Sequence, residues 1–255
     1  MLAIERRNQI LERLQDEKKV VVSQLSSEFN VSEETIRRDL EKLEKEGYAT
    51  KSYGGAVLNE NVGFDMPLKI RSKKNVSAKE IIAQLAAEQI HDGDHIILDA
   101  SSTDLFIAKA IRNKQHLTVV TNSIEIMLTL SEVNSDWNII STGGNLKSGY
   151  LAMLGPQAES SISNFYADKA FVSCKAVDQQ LGIYDSIETF SSLKRQMIAS
   201  ATKSYLCVDS SKFGRTAFAK TGNVSMCDAV ITDRIPDAKW KEMFDMRGIT
   251  CISGE

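Results

Sequence analysis

From residue 95 onward one pattern recurs: a short apolar run, a cluster of small or polar residues, then a helical stretch. HIILDASST (95–103) runs into DLFIAKAIRN, and LTVVTNS (117–123) into EIMLTLSEV. WNIISTGGN (137–145), KAFVSCKAVD (169–178) and SYLCVDSSKFG (204–214) repeat the first two steps. Apolar strands alternating with helices predict an α/β domain with a mostly parallel sheet. In such sheets ligands lie beyond the carboxyl ends of the strands, which is where these polar clusters fall.

The first 58 residues follow another rhythm. Residues 4–16 are helical, with Ile10, Leu11 and Leu14 on one side. Val20–Val22 reads as a short strand, and Ser23 as the cap of a brief helix burying Leu25 and Phe29. Asn30 suits a left-handed turn. Ser32 caps the next helix, with Glu33 and Glu34 at its positive end. Ile36, Leu40 and Leu43 share a face, Gly47 stops the helix, and YATKSYGGAVL turns at Gly54-Gly55 as a hairpin. Helix, helix, tight turn, helix and hairpin is the outline of a winged helix-turn-helix. The expected organisation is therefore residues 1–58 as that unit, 59–75 as a solvated basic linker containing Pro67, Lys69, Arg71, Lys73 and Lys74, and 76–255 as the α/β domain.

Composition excludes several classes. No apolar run approaches the length of a membrane span, and the charged N-terminus leaves no room for a signal-peptide core, so the cytoplasm is expected. Scattered Cys174, Cys207, Cys227 and Cys251, and histidines without partners at ligand spacing, predict neither disulfides nor a metal site. No cofactor is expected. The net charge of −3 hides little asymmetry: residues 1–75 carry 14 basic and 13 acidic side chains, the remainder 17 and 21. A case for DNA binding rests on placement. At about 100° per residue, Arg38, Lys42 and Lys45 point away from the Ile36–Leu40–Leu43 face. Most acids lie off that stripe, although Glu34 and Glu41 share it and Arg37 falls outside it. Charge alone equally fits a solvated helix laced with pairs such as Glu34–Arg38 and Glu41–Lys45.

The order of residues separates these readings. Val31–Leu40 (V-S-x-x-T-I-R-R-D-L), Leu43–Gly47 (L-x-x-x-G) and Gly54-Gly55-Ala56 together resemble the DeoR family of bacterial transcription regulators. Tyr53 stands where that family often has histidine. LDASST, TVVTNS, TGGNL, Gly155-Pro156, ADKAF, LGI and DSSKFG resemble, in order, its sensor domain, related in fold to ribose-5-phosphate isomerase. The resemblance implies a recognition helix in the major groove of an operator. Ser32, Thr35, Arg37, Arg38 and Lys42 would contact DNA from it, and Lys51 and Tyr53 from the wing. Asp39 is expected to hold an arginine in place, and Glu34 either serves the helix dipole or accepts from a cytosine amine.

For the second domain the resemblance implies a phosphorylated sugar. Ser101, Ser102 and Thr103 open one helix, and Asn122 and Ser123 the next, where free N–H groups favour phosphate. Gly143 and Gly144 let backbone approach a ligand, and Lys212 is the charge partner for phosphate. Asp99, Asp178 and Asp209 are acceptors for sugar hydroxyls, and Glu188 and Lys194 match an acid and a lysine of the family pattern. Ser101 and Ala176 stand where glycines are usual. The expected function is a transcriptional regulator, a repressor of a sugar-metabolism operon that works as a dimer or larger oligomer. A phosphosugar isomerase with an accessory helical domain is the alternative.

Overall fold

A computed structural model describes residues 2–45, 47–59, 67–132, 136–235 and 237–254. The chain divides into two compact units, 1–66 and 67–255.

The first unit is built from α1 (Ala3–Glu17), β1 (Lys19–Val21), α2 (Val22–Phe29), α3 (Glu33–Lys45), β2 (Ala49–Ser52) and β3 (Gly55–Leu58). The three strands form an antiparallel sheet in the order β1-β3-β2, completing a winged helix-turn-helix. Its core joins Ile10, Leu11 and Leu14 of α1 to Leu25 of α2 and Ile36, Leu40 and Leu43 of α3. Burying each such side chain contributes roughly 1.5–3 kcal/mol. Asn30, at φ 51°, makes the left-handed turn between α2 and α3. A side chain at Gly55 would collide with the Val20 carbonyl, its Cβ lying 2.0 Å from that oxygen, so β1 and β3 pair only over a glycine. The expected cap of α2 is displaced: the helix starts two residues earlier, after Val21, and Ser23 is exposed in its first turn. Phe29 is half-buried rather than buried.

The second unit runs α4 (Leu68–Arg71), α5 (Val76–Glu88), β4 (His95–Leu98), α6 (Ser102–Ala110), β5 (Thr118–Thr121), α7 (Ile124–Ser131), β6 (Asn138–Ser141), β7 (Asn145–Lys147), β8 (Ala152–Leu154), α8 (Pro156–Ser163), β9 (Ala167–Val172), β10 (Ala176–Asp178), β11 (Gly182–Asp185), α9 (Glu188–Ala199), β12 (Ala201–Cys207), β13 (Ala219–Gly222), β14 (Ala229–Thr232), α10 (Ala238–Met246) and β15 (Thr250–Ser253). Seven strands make one parallel sheet in the order β15-β14-β12-β9-β4-β5-β6. Successive residues serve opposite faces. Ile96, Leu98, Phe171, Tyr205 and Cys207 pack under α5, α6 and α7. Ile97, Ala170, Val172 and Leu206 pack under α8, α9 and α10. The apolar runs are near-continuous because both faces are covered.

The chain fills β4, β5 and β6 in one direction, then returns to the other side of β4 with β9. The β4–β9 boundary is thus the topological switch point, where the two following loops diverge and leave a crevice. Two smaller antiparallel elements went unread in the sequence, the β7–β8 hairpin and the β10-β11-β13 sheet. Their three- and four-residue strands are too short to register a period. Residues 60–66 of the expected linker, and Glu46, lie outside the described residues. Leu68–Arg71 of the same span forms a helix whose Leu68 and Ile70 are buried. Among the described residues no helix is long and apolar enough to cross a membrane.

Candidate functional site

The DNA-facing candidates sit on α3 and on the β2–β3 wing. Ser32 caps α3: its Oγ accepts from the Thr35 backbone N–H at 3.2 Å and lies 2.9 Å from the Thr35 hydroxyl. The arginines are exposed, and each is paired one turn back, Arg37 with Glu33 at 2.5 Å and Arg38 with Glu34 at 3.1 Å. Glu41 takes Lys51 of the wing at 2.7 Å, and the Lys51 backbone N–H donates to Glu44. The wing is thereby tied to α3, with Tyr53 fully exposed at its tip. Asp39 is buried and accepts from Arg6 Nε at 2.6 Å and Arg7 Nη1 at 3.4 Å, so the arginines it holds come from α1. This ion pair sets the orientation of α3 against α1.

Four of the sensor candidates, Asp99, Lys194, Asp209 and Lys212, come together at the switch point. Asp99 follows β4, Ser173 follows β9, and Asp209 and Lys212 follow β12. Lys194, reaching in from α9, is buried between Asp185, to which it donates, and Asp99 at 3.3 Å. Burial works against its charge, but the two carboxylates outweigh burial and raise its pKa. Lys212 donates to the Ser173 hydroxyl at 2.9 Å and stands 3.9 Å from Asp209. Burial would raise the Asp209 pKa; the Lys212 charge and two hydrogen bonds from Ser211 prevail and lower it.

Ser101 caps α6, accepting from the Asp104 N–H at 2.9 Å and donating to Asp104 Oδ2 at 2.8 Å. Ser102 and Thr103 are buried in the first turn. Thr103 Oγ1 and Asp104 Oδ1 are buried without a hydrogen-bond partner. Burial, and then the Asp99 charge, push the Asp104 carboxyl well above the usual range. The arrangement brings two lysines, the first turn of α6 and an aspartate biased toward its protonated form to one end of the sheet.

Other candidates are occupied elsewhere. Asn122 spends its amide on the Ala100 N–H and the Met153 carbonyl, locking β4 and β8 loops together. Ser123 caps α7 through the Ile126 N–H. A Cβ at Gly144 would lie 2.7 Å from the Leu154 carbonyl, so that glycine serves the close packing of β8. At Gly143 the same atom would meet open space, although φ there is 63°. Asp178 accepts from the Gln180 and Leu181 N–H groups in the β10–β11 turn. Glu188 is exposed and paired with Arg195 at 3.1 Å, so it is not drawn into the cluster. The structure adds Lys79, Asp104, Ser173 and Asp185, which sequence reading passed over. A buried lysine on α5 looks in sequence like any solvated helix position, and no local signal marks it.

A winged helix-turn-helix carried with a parallel α/β unit whose switch point is lined by buried charge defines a DNA-binding regulator with a separate sensor. Residues 6–62 match the DeoR-like helix-turn-helix domain and residues 74–234 the DeoR C terminal sensor domain. The chain belongs to the DeoR family of transcriptional regulators. It is 40% identical to the HTH-type transcriptional regulator YulB of Bacillus subtilis over 91% of this chain and 90% of that protein. It is 33% identical to the glycerol-3-phosphate regulon repressor of Escherichia coli K12 over 92% and 93%. The Methanocaldococcus jannaschii ribose 5-phosphate isomerase A structure aligns over 55% of each chain, at 15% identity and a TM-score of 0.41.

Proposed function

We propose that this regulator represses a carbohydrate operon, and that a phosphorylated sugar at the switch point of the sensor unit controls its affinity for the operator. The observation that carries this reading is Lys212, beside Ser173 and close enough to the first turn of α6 for its charge to act on Asp104. A phosphate there meets a cation and the free N–H groups of a helix start. Asp99 and Asp209 supply acceptors for hydroxyls. The E. coli relative carries glycerol 3-phosphate in its name, which is consistent with this chemistry.

The protein acts in the cytoplasm by binding rather than turnover, as a dimer or larger assembly on paired half-sites. Ser32, Thr35, Arg37, Arg38 and Lys42 enter the major groove, with Lys51 and Tyr53 on the flanking backbone. Effector prefers one conformation or assembly, and linkage converts that preference into a change in DNA affinity. The Arg37→Ala/Arg38→Ala variant should lose specific operator binding, by about 10²-fold or more for two such contacts, while the sensor stays folded. Unchanged affinity in a gel-shift titration would remove α3 from the interface. Lys212→Ala should bind DNA normally yet need at least about tenfold more sugar phosphate to respond, the loss of one charge-assisted contact. A normal dose response would relocate the phosphate site. Turnover of pentose or hexose phosphates that disappears in Lys212→Ala would instead establish an isomerase.

A further inference from the structure

The basic stretch 67–75 reads in sequence as a solvated connector, yet it is built into the sensor unit at three points. Arg71 places its guanidinium carbon 5.3 Å over the Tyr150 ring. Tyr150 lies 4.9 Å from Phe190, and the Lys194 ammonium stands 5.6 Å over the far ring. A stack thus runs from Arg71 to the lysine that holds Asp99 and Asp185. Lys79, buried on α5, donates to the carbonyls of Arg71, at 2.8 Å, and Lys74, closing the 71–74 turn. Asn75, in a left-handed conformation at φ 48°, donates from Nδ2 to Asp209 Oδ1 at 3.0 Å and to the Ser211 hydroxyl at 3.2 Å. Asp209 is the carboxylate that faces Lys212.

Lys79, Lys194 and Lys212 lie with Asp99, Asp185 and Asp209 around this turn, and Asp104 is held toward its neutral form. Burial first, and then the Lys212 charge, lower the Lys79 pKa to about 8; Asp209 opposes this, and Arg71 and Lys74 add to it. An arriving anion relieves that crowding.

We propose that Pro67–Asn75 is the output arm of the effector site: the anion seated at Lys212 also engages Arg71, and the Asn75–Asp209 hydrogen bond carries its presence into the stretch that leads to the DNA-binding unit. This rests on the effector reading above and names how that site reports. Binding tightens the 71–75 turn twice, through the more fully charged Lys79 clamp and through Asn75.

The test uses the full chain with inorganic phosphate as probe, read by titration calorimetry and by amide hydrogen exchange. In the native protein, phosphate should slow exchange across 70–76 as well as 209–212. Arg71→Met should weaken phosphate binding about tenfold, the value of one charge-assisted contact, and Arg71→Lys should recover part of it. Asn75→Ala should bind phosphate within about threefold of the native protein, consistent with loss of no direct contact, while protection of 70–76 disappears and that of 209–212 remains. Native affinity in both Arg71 variants, or protection confined to 209–212 in the native chain, would overturn the inference and leave the effector site standing. Phosphate binding unaffected by Lys212→Ala, or absent from the native chain, would remove that site and the output arm with it. If Arg71→Met does not fold, Arg71→Lys and Asn75→Ala decide the matter.

Discussion

Arg38 of α3 and Lys194 of α9 both stand beside carboxylates, at 3.1 Å and 3.3 Å, but their surroundings differ completely. The Arg38 side chain is 74% exposed and its partner Glu34 63%, whereas Lys194 is 6% exposed and Asp99 1%. In water an ion pair gains little and exchanges readily. In the interior each charge depends on its partners, because desolvation is not recovered otherwise. The DNA-binding unit therefore keeps its cations on loan to local acids, available to a stronger anion. The sensor unit fixes Lys194 in advance against two buried carboxylates.

The largest test of this contrast is Lys194→Met. It strands Asp99 and Asp185 in the interior and should cost the sensor unit about 3–5 kcal/mol in denaturant unfolding. Arg38→Ala should change the unfolding of its own unit by only about 0.5 kcal/mol. Equal costs would abolish the distinction. Adding Asp185→Asn to Lys194→Met should return part of the loss.

A smaller effect isolates Asp104. Its folded pKa is raised, so the folded state holds its proton more tightly than the unfolded chain does. The resulting stability is fully present below the ordinary aspartate range and is lost as pH rises toward the folded pKa. Asp104→Asn has no such titration. The unfolding free energy of the variant should therefore gain on that of the native chain as pH rises above 5, by up to about 1.4 kcal/mol per unit. Using the difference cancels other titrations common to both proteins, including that of Lys79. A difference independent of pH between 5 and 7 would show that Asp104 is an ordinary carboxylate.

What the sequence displayed, and what it concealed, follows the same division. Short apolar runs alternating with helical stretches announced the sheet, and i, i+4, i+7 spacing announced α3, because burial by an element's own neighbours leaves a local pattern. Asn30 and Gly47 announced their turns through backbone conformations that few residues adopt cheaply. The polar loops after the strands were visible as positions but ambiguous in role. Ser101 and Ser123 are helix caps in the structure, since a hydroxyl at a helix start serves a backbone N–H as readily as a phosphate. Asn75 gave no warning, because its partner is set by topology: Asn75 and Asp209 are 134 residues apart. Lys79 and Asp185 have partners within nine residues, but no period marks a buried charge. Glu188 shows the converse case. Family pattern pointed to it, but in this chain the carboxylate turns outward to Arg195.

The smallest expected effect concerns Glu34, the acid that shares the outward face of α3 with the basic stripe. If it serves only as a first-turn charge and as the resting partner of Arg38, then Glu34→Gln removes one negative charge from the face presented to phosphates and frees the guanidinium. Affinity should rise severalfold, roughly three- to tenfold, and equally on operator and unrelated DNA, because the gain is electrostatic and carries no sequence information. If instead the carboxylate accepts from a cytosine amine, the same substitution should weaken operator binding while sparing unrelated duplexes, since an edge contact discriminates among bases. Gel-shift titrations on both DNAs at two salt concentrations separate the outcomes by sign. A gain on both supports the view that exposed acids on this unit hold its cations only until DNA arrives. A loss confined to the operator would make Glu34 part of the reading head, and would mean that the α3 pairs are selected for recognition as well as for holding arginines in reserve.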